Sequence, residues 1–238
     1  MTMSASSKLV MTNSSIVLPS RIAAAGAAAV ALIIIGLHAL KPEFEPSWRF
    51  ISEYAIGRHA WIMKGGFLVW ALSCAALALA LWQEVRNRAG KVGVGILLLV
   101  AAAMVPAGLF PQDPVTAAPN ELTTSGSIHA LASMIGIPGL PIAAVLISSS
   151  LWRTNAQWRS SRSLIMATAH ATWISLALMT AYLVWAVPRA GGFNAEVWAG
   201  SMNRLVVGSY LAWQTATACC LLRYAKRANT LRLTEKQP

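Results

Sequence analysis

"IAAAGAAAVALIIIGLHAL", residues 22–40, carries no Asp, Glu, Lys or Arg. A helix needs about 20 apolar residues to cross roughly 30 Å of hydrocarbon. Backbone amides placed in lipid must be paired within their own segment, so the run reads as a helix and not as a strand. It is too long for a signal-peptide core and no convincing cleavage site follows, so a retained first span is expected. Its small residues, "AAAGAAAVA", permit close approach of a second helix.

Working outward, five further runs have the same character: 61–82, 92–110, 129–152, 164–187 and 205–222, none with an Asp or Glu. Of 238 residues, 56% are hydrophobic and only 11% charged, with a mean hydropathy of +0.57. Soluble domains average about 25% charged residues, so too little polar surface remains here for a globule in water. The expected fold is all-α: one polytopic bundle of six transmembrane helices over 22–222, a polar N-tail over 1–21 and a basic C-tail over 223–238. The net charge of +11 does not point to nucleic acid, because the charges fall in short loops and tails and not on one amphipathic face.

Where the charges fall gives an orientation. The N-tail, the 83–91 and 153–163 loops and the C-tail hold 2, 3, 3 and 5 Lys or Arg, against five on the opposite face (Lys41, Arg49, Arg58, Arg189 and Arg204). Basic loops stay inside, so both termini are expected in the cytoplasm of a cell-membrane protein, the inner membrane where the host has two. The acids run the other way. Glu43, Glu45, Glu53, Asp113, Glu121 and Glu196 lie outside, and only Glu84 and Glu235 inside. Trp82, Trp152, Trp185 and Trp198 fall near segment ends, as interfacial anchors do.

Two segments are irregular. The third span ends "MVPAGLFPQDP" and the fourth contains "GIPGLP", where Pro138 and Pro141 each remove a backbone donor. A kink repaired by neighbouring helices is the simpler expectation. A helix broken beside a cavity, as in transporters, is the alternative.

The outer loops are short, so their polar residues must converge at the mouth of the bundle. "KPEFEPSWRFISEYAIGRHA" (41–60) is amphipathic and suits an interfacial or re-entrant segment. In it, Ser52 or Glu53 can cap a short helix. Asp113, between two prolines, sits in a stiff turn. "TTSGSIH" leads into the fourth helix, where Thr124, Ser125 or Ser127 would cap and His129 falls in the first turn. A His there hydrogen-bonds a carbonyl or carboxylate, or is charged only if an acid compensates the helix dipole. Arg204 is either a snorkelling anchor or a bidentate partner for Glu53 or Asp113. Lys64 can take that second role or reach up to water.

Cys74, Cys219 and Cys220 lie in apolar runs without CxxC or Cys/His spacing. His38, His59, His129 and His170 are scattered singly, without an HxxxH element or a pair at matched depth for haem. No metal and no cofactor is expected.

The motifs "ISEYAIG" (51–57), "FPQDP" (110–114), "GSIH" (126–129) and "NRLVV" (203–207) occur in an order that resembles the domain-of-unknown-function 998 family, six-helix bacterial and archaeal membrane proteins. The resemblance spans about residues 22 to 222. It implies the topology and a shared outer-face set of Glu53, Asp113, His129 and Arg204, with "SEYAIGRH" (including Ser52 and His59) as one wall of a site. It implies no activity.

Three functions fit. A lipid-binding, regulatory or assembly factor needs only that the polar set lock the outer loops together. An intramembrane enzyme, a hydrolase or a lipid- or isoprenoid-modifying one, would use Glu53, Asp113 and His129 as acid/base groups on an outer-leaflet lipid or isoprenoid. A small-molecule transporter would use the proline-rich fourth helix, though no mid-membrane acid supports it. Membrane lipid is the expected partner.

Overall fold

Each apolar run becomes one helix in a computed structural model, which describes residues 5–234 and side chains from Ser15 to Arg227. The helices are α1 (Ala5–Leu40), α2 (Ala60–Trp82), α3 (Arg88–Leu109), α4 (Thr124–Thr154), α5 (Arg162–Arg189) and α6 (Ala199–Thr234), with no strand among the described residues. All six are long and apolar enough to span a membrane. The all-α, six-span expectation holds.

The helix ends differ from the sequence reading. α1 begins before its apolar run and passes through Pro19, so residues 5–21 of the polar N-tail are helix. Ser20 Oγ bonds back to Ile16 O at 2.7 Å, which lets a polar residue stay in a helix without competing for another fold. α6 likewise runs on to Thr234, through much of the segment expected as a C-tail. Residues 1–4 and 235–238 lie outside the described residues.

Consecutive helices pack against one another, and α6 returns to pack on α1, which closes a ring in chain order. One end of the ring carries the 41–59, 110–123 and 190–198 connections. The other carries 83–87 and 155–161, together with the start of α1 and the end of α6. Ala23, Ala27 and Val30 are buried on α1, where Ser73 Oγ of α2 donates to Ala23 O at 2.8 Å. Small residues and interhelical hydrogen bonds do this work in lipid, where no hydrophobic effect drives helices together. Glu84 holds the opposite end: it accepts from Asn155 Nδ2 (3.0 Å), Gln157 Nε2 (2.6 Å) and Trp158 Nε1 (3.0 Å).

α4 is continuous through Pro138 and Pro141, so the helix is not broken. Pro141 cannot donate to Ile137 O, the carbonyl one turn back. Tyr210 of α6 does so instead, through its hydroxyl at 2.5 Å. The repair comes from a neighbouring helix, as lipid requires. The first connection forms turns and a short 3-10 helix, Ile51–Ala55, tucked over the bundle; Ile51, Glu53, Tyr54 and Ala55 are all buried in it.

Candidate functional site

The site begins with a proline. α3 ends at Leu109, and in a continuing helix Ala107 O would receive its bond from residue 111, which is Pro111 and has no N–H. His129 supplies the missing donor. Its Nδ1 lies 3.1 Å from Ala107 O and 2.9 Å from Phe110 O, and the ring meets Phe67 edge-to-face at 5.6 Å. Both partners are carbonyl oxygens, which only accept. Nδ1 therefore carries a proton, and when the ring is neutral Nε2 presents a lone pair.

Asp113 anchors the same junction. Its oxygens accept from Thr123 N (2.9 Å) and Thr123 Oγ1 (2.8 Å), and that Oγ1 accepts from Gly126 N (3.0 Å) as the N-cap of α4. Ser125 Oγ also donates to Pro111 O at 2.9 Å. The capping residue is thus Thr123, not Thr124, Ser125 or Ser127.

Glu53 is fully buried and saturated. Its Oε1 accepts from Arg49 Nη2 (2.8 Å) and Val115 N (3.0 Å), and its Oε2 from Phe50 N (2.9 Å). Glu53 thereby caps its own 3-10 helix and ties it to the loop that follows Asp113. Burial pushes its carboxyl above the ordinary range, against the downward pull of the Val115 amide and Arg49.

The carboxylate partner anticipated as one role for Arg204 is not found among the described residues. Arg204 makes no ion pair with Glu53 or Asp113; Arg49 takes Glu53, while Arg204 donates to His38 Nε2 (2.8 Å), Tyr54 Oη (2.7 Å), Arg49 O (2.8 Å) and Gly200 O (3.0 Å). Arg204 begins the second turn of α6, deep enough to meet α1 and the 3-10 helix, whereas Arg49 precedes Glu53 by four residues on the same loop. Lys41 is also interior: fully buried, its ammonium donates to Tyr54 O (3.1 Å) and Ile56 O, and burial lowers its pKa against the pull of Glu43. Lys64 and His59 pair with no acid among the described residues. His59 is the residue before α2, in a left-handed conformation (φ 60°).

What these supports enclose is a two-part cavity. A vestibule of about 460 Å³ lies under the loops, lined by Gln112, Asp113, Ser127, Met179 and Phe193 among others. A smaller chamber of about 60 Å³ lies deeper, walled by Phe67, Trp70, Met104, Leu140, Val207 and Tyr210. Ser52, His129, Ser133, Ile137 and Asn203 line both and form the neck between them. Glu53 lines neither. Ser52 Oγ donates to Gln112 Oε1, and Asn203 Oδ1 accepts from Ile51 N at 3.1 Å. Ser133 and Asn203 were not anticipated. Ser133 follows His129 by four residues, the spacing that puts two side chains on one helix face, so that signal was present. No group of three His, Cys, Asp or Glu able to hold a metal occurs among the described residues.

A ring of six membrane helices around a loop-capped cavity, necked by neutral hydrogen-bonding side chains, defines a class of multi-pass membrane protein with an internal pocket. The model of the family described as protein of unknown function (DUF998) matches residues 22–219, and the chain belongs to that family. No curated protein and no solved structure matches it.

Proposed function

We propose that the protein is a non-catalytic binding protein of the cell membrane that holds a lipid or isoprenoid amphiphile in the larger, loop-capped compartment of the cavity. The observation that carries this is the contrast between the neck and its supports. The two compartments share five lining residues, while both carboxylates expected to do acid/base chemistry are engaged in holding loops: Glu53 by Arg49 and two amides, Asp113 by Thr123. A mostly apolar pocket with a few convergent polar groups is the usual form of a small-molecule site. The cation bias supports an outward-facing vestibule with cytoplasmic termini.

The test is native mass spectrometry of protein extracted in mild non-ionic detergent. Wild type retains an amphiphile, and Ser133→Phe, which plugs the neck, loses it while its thermal midpoint stays near that of wild type. Absence of bound amphiphile in wild type, or equal retention in Ser133→Phe, defeats the proposal. Orientation is read separately by membrane-impermeant labelling of Asn194→Cys and Arg159→Cys in intact cells, after Cys74, Cys219 and Cys220 are replaced. Only Asn194→Cys reacts if the vestibule faces outward.

A further inference from the structure

A separate space opens at the other end of the bundle, where α1 and α6 extend beyond their apolar runs. It is a groove of about 480 Å³ lined by Val17 and Arg21 of α1 and by Leu222, Ala225 and Lys226 of α6. Val17 and Arg21 are four residues apart, and Ala225 and Lys226 follow Leu222 by three and four, so each set lies on one helix face. α1 and α6 pack against each other, and these two faces meet at the groove. Its volume is within the range of about 300–1,000 Å³ usual for small-molecule sites.

The charge of the groove and its depth select the ligand. Arg21 and Lys226 are exposed cations, and no Asp or Glu is among the described lining residues. Other cations at this end are engaged within the protein: Lys91 lies over the Trp82 ring and donates to Trp82 O, and Arg153 and Arg162 lie over Trp152. Arg21 makes no ion pair or side-chain hydrogen bond with a described residue. The one described carboxylate at this end, Glu84, is held by Asn155, Gln157 and Trp158. Arg21 directly precedes the apolar run 22–40, and Lys226 lies one turn beyond the run 205–222. Both therefore stand at the margin of the hydrocarbon, the depth of lipid head groups. A guanidinium there suits a phosphate, which it can grip with two parallel bonds.

We infer that the groove between α1 and α6 binds the head group of an anionic phospholipid, with its phosphate on Arg21 and with Lys226 adding positive charge from the α6 wall. The lipid belongs to the leaflet at this end of the bundle, so the site is distinct from the loop-capped vestibule and independent of what the vestibule holds. A zwitterionic lipid brings its own ammonium to a wall that already carries two cations, and it is held less well.

The experiment is native mass spectrometry of the full chain, delipidated in mild non-ionic detergent and given phosphatidylglycerol and phosphatidylcholine of identical acyl chains in equimolar mixture. Wild type should take up the anionic lipid about fivefold or more over the zwitterionic one, the factor that one cation near a membrane surface supplies. Arg21→Gln, an exposed change that breaks no protein contact, should lower phosphatidylglycerol occupancy about fivefold. Adding Lys226→Gln should bring the two lipids level. Arg159→Gln removes an exposed cation at the same end that is not in the groove lining, and it should keep the preference. Ser133→Phe, at the other end, should keep it too. Equal uptake by wild type, or a preference that survives in the double variant, overturns the inference. A loss in Arg159→Gln as large as in Arg21→Gln also overturns it, because a diffuse field and not a site then attracts the lipid. A loss in Ser133→Phe places the anionic lipid in the vestibule, with the same consequence. Displacement of phosphatidylglycerol by excess inorganic phosphate overturns the assignment to a lipid. Amphiphile binding in the vestibule is judged separately, by retention in wild type against Ser133→Phe.

Discussion

Replacing Gly126 by Ala should destabilise the protein through Asp113, although the same change in an unhindered helix would stabilise it. A Cβ at Gly126 would lie 2.0 Å from Asp113 Oδ2, 2.4 Å from its Cγ and 2.9 Å from Oδ1. The carboxylate must therefore leave, and its bonds to Thr123 N and Thr123 Oγ1 go with it. Two bonds of about 1 kcal/mol each are lost, and repacking the turn adds about 1 kcal/mol. Against this stands a gain of about 1 kcal/mol from the higher helix propensity of Ala. The net cost is about 2 kcal/mol. Asp113→Ala alone costs about 2 kcal/mol for the same two bonds. The double variant has room for the methyl group and keeps the propensity gain, so it should cost only about 1 kcal/mol, a coupling of about 3 kcal/mol from additivity. Gly136→Ala is the internal control. Its Cβ meets only Met104 Cε, at 2.4 Å, the free end of a flexible side chain, so it should stay within about 1 kcal/mol of wild type. Thermal unfolding in detergent followed by intrinsic Trp fluorescence measures all four, at about 2–4 °C per kcal/mol for a chain this size. Additive midpoints for Asp113→Ala and Gly126→Ala would refute the account of how the "FPQDP" turn is seated on α4.

Glu53 gives a pH dependence. Its folded pKa is raised, so its contribution to stability is fully present below the unfolded value of about 4.3 and declines as pH rises through the folded value. The gap in thermal midpoint between wild type and Glu53→Gln should widen from pH 7 toward pH 4, and a gap that narrows contradicts the burial argument. Arg204→Lys cannot serve His38, Tyr54 and two carbonyls from one ammonium, and it should lower stability by about 2–4 kcal/mol; a neutral result by thermal unfolding would mean the network is idle. Tyr210→Phe leaves Ile137 O without a donor and should cost about 1–3 kcal/mol. In a Pro141→Ala background, where residue 141 regains an N–H, most of that cost should vanish in the same assay.

The spans were legible because lipid imposes a length and a composition that a run of apolar residues meets or fails without reference to its neighbours. "IAAAGAAAVALIIIGLHAL" needs no partner to be recognised. Helix ends follow a weaker rule: Ser20 and its neighbours are polar but can bond within a helix, so α1 extends where composition alone reads tail. The convergence of "ISEYAIG", "FPQDP" and "GSIH" was also legible, since short loops leave little room to separate. Which cation meets which acid was not. Arg49 and Arg204 read alike as outer-face charges, and only depth along the bundle sends one to Glu53 and the other to His38 and Tyr54. The four-residue spacing of Arg49 and Glu53 was the available clue. Nothing in the local sequence marks Lys41 as buried.

The two helix irregularities and the cavity have one physical origin. A proline in a membrane helix strands a carbonyl, and the carbonyl must be served by a side chain that reaches across from another helix. His129 does this for Ala107, and Tyr210 does it for Ile137. Each repair spends one polar atom on the backbone, and both residues line the chamber. The character of the leftover hydrogen-bonding capacity is then fixed by the repair: a carbonyl takes the proton on Nδ1, so in the neutral ring Nε2 is left with a lone pair. The chemistry offered at the neck therefore follows from where the prolines fall. A substitution that restores a backbone donor at 111 or 141 would change the pocket's preference along with the fold's stability.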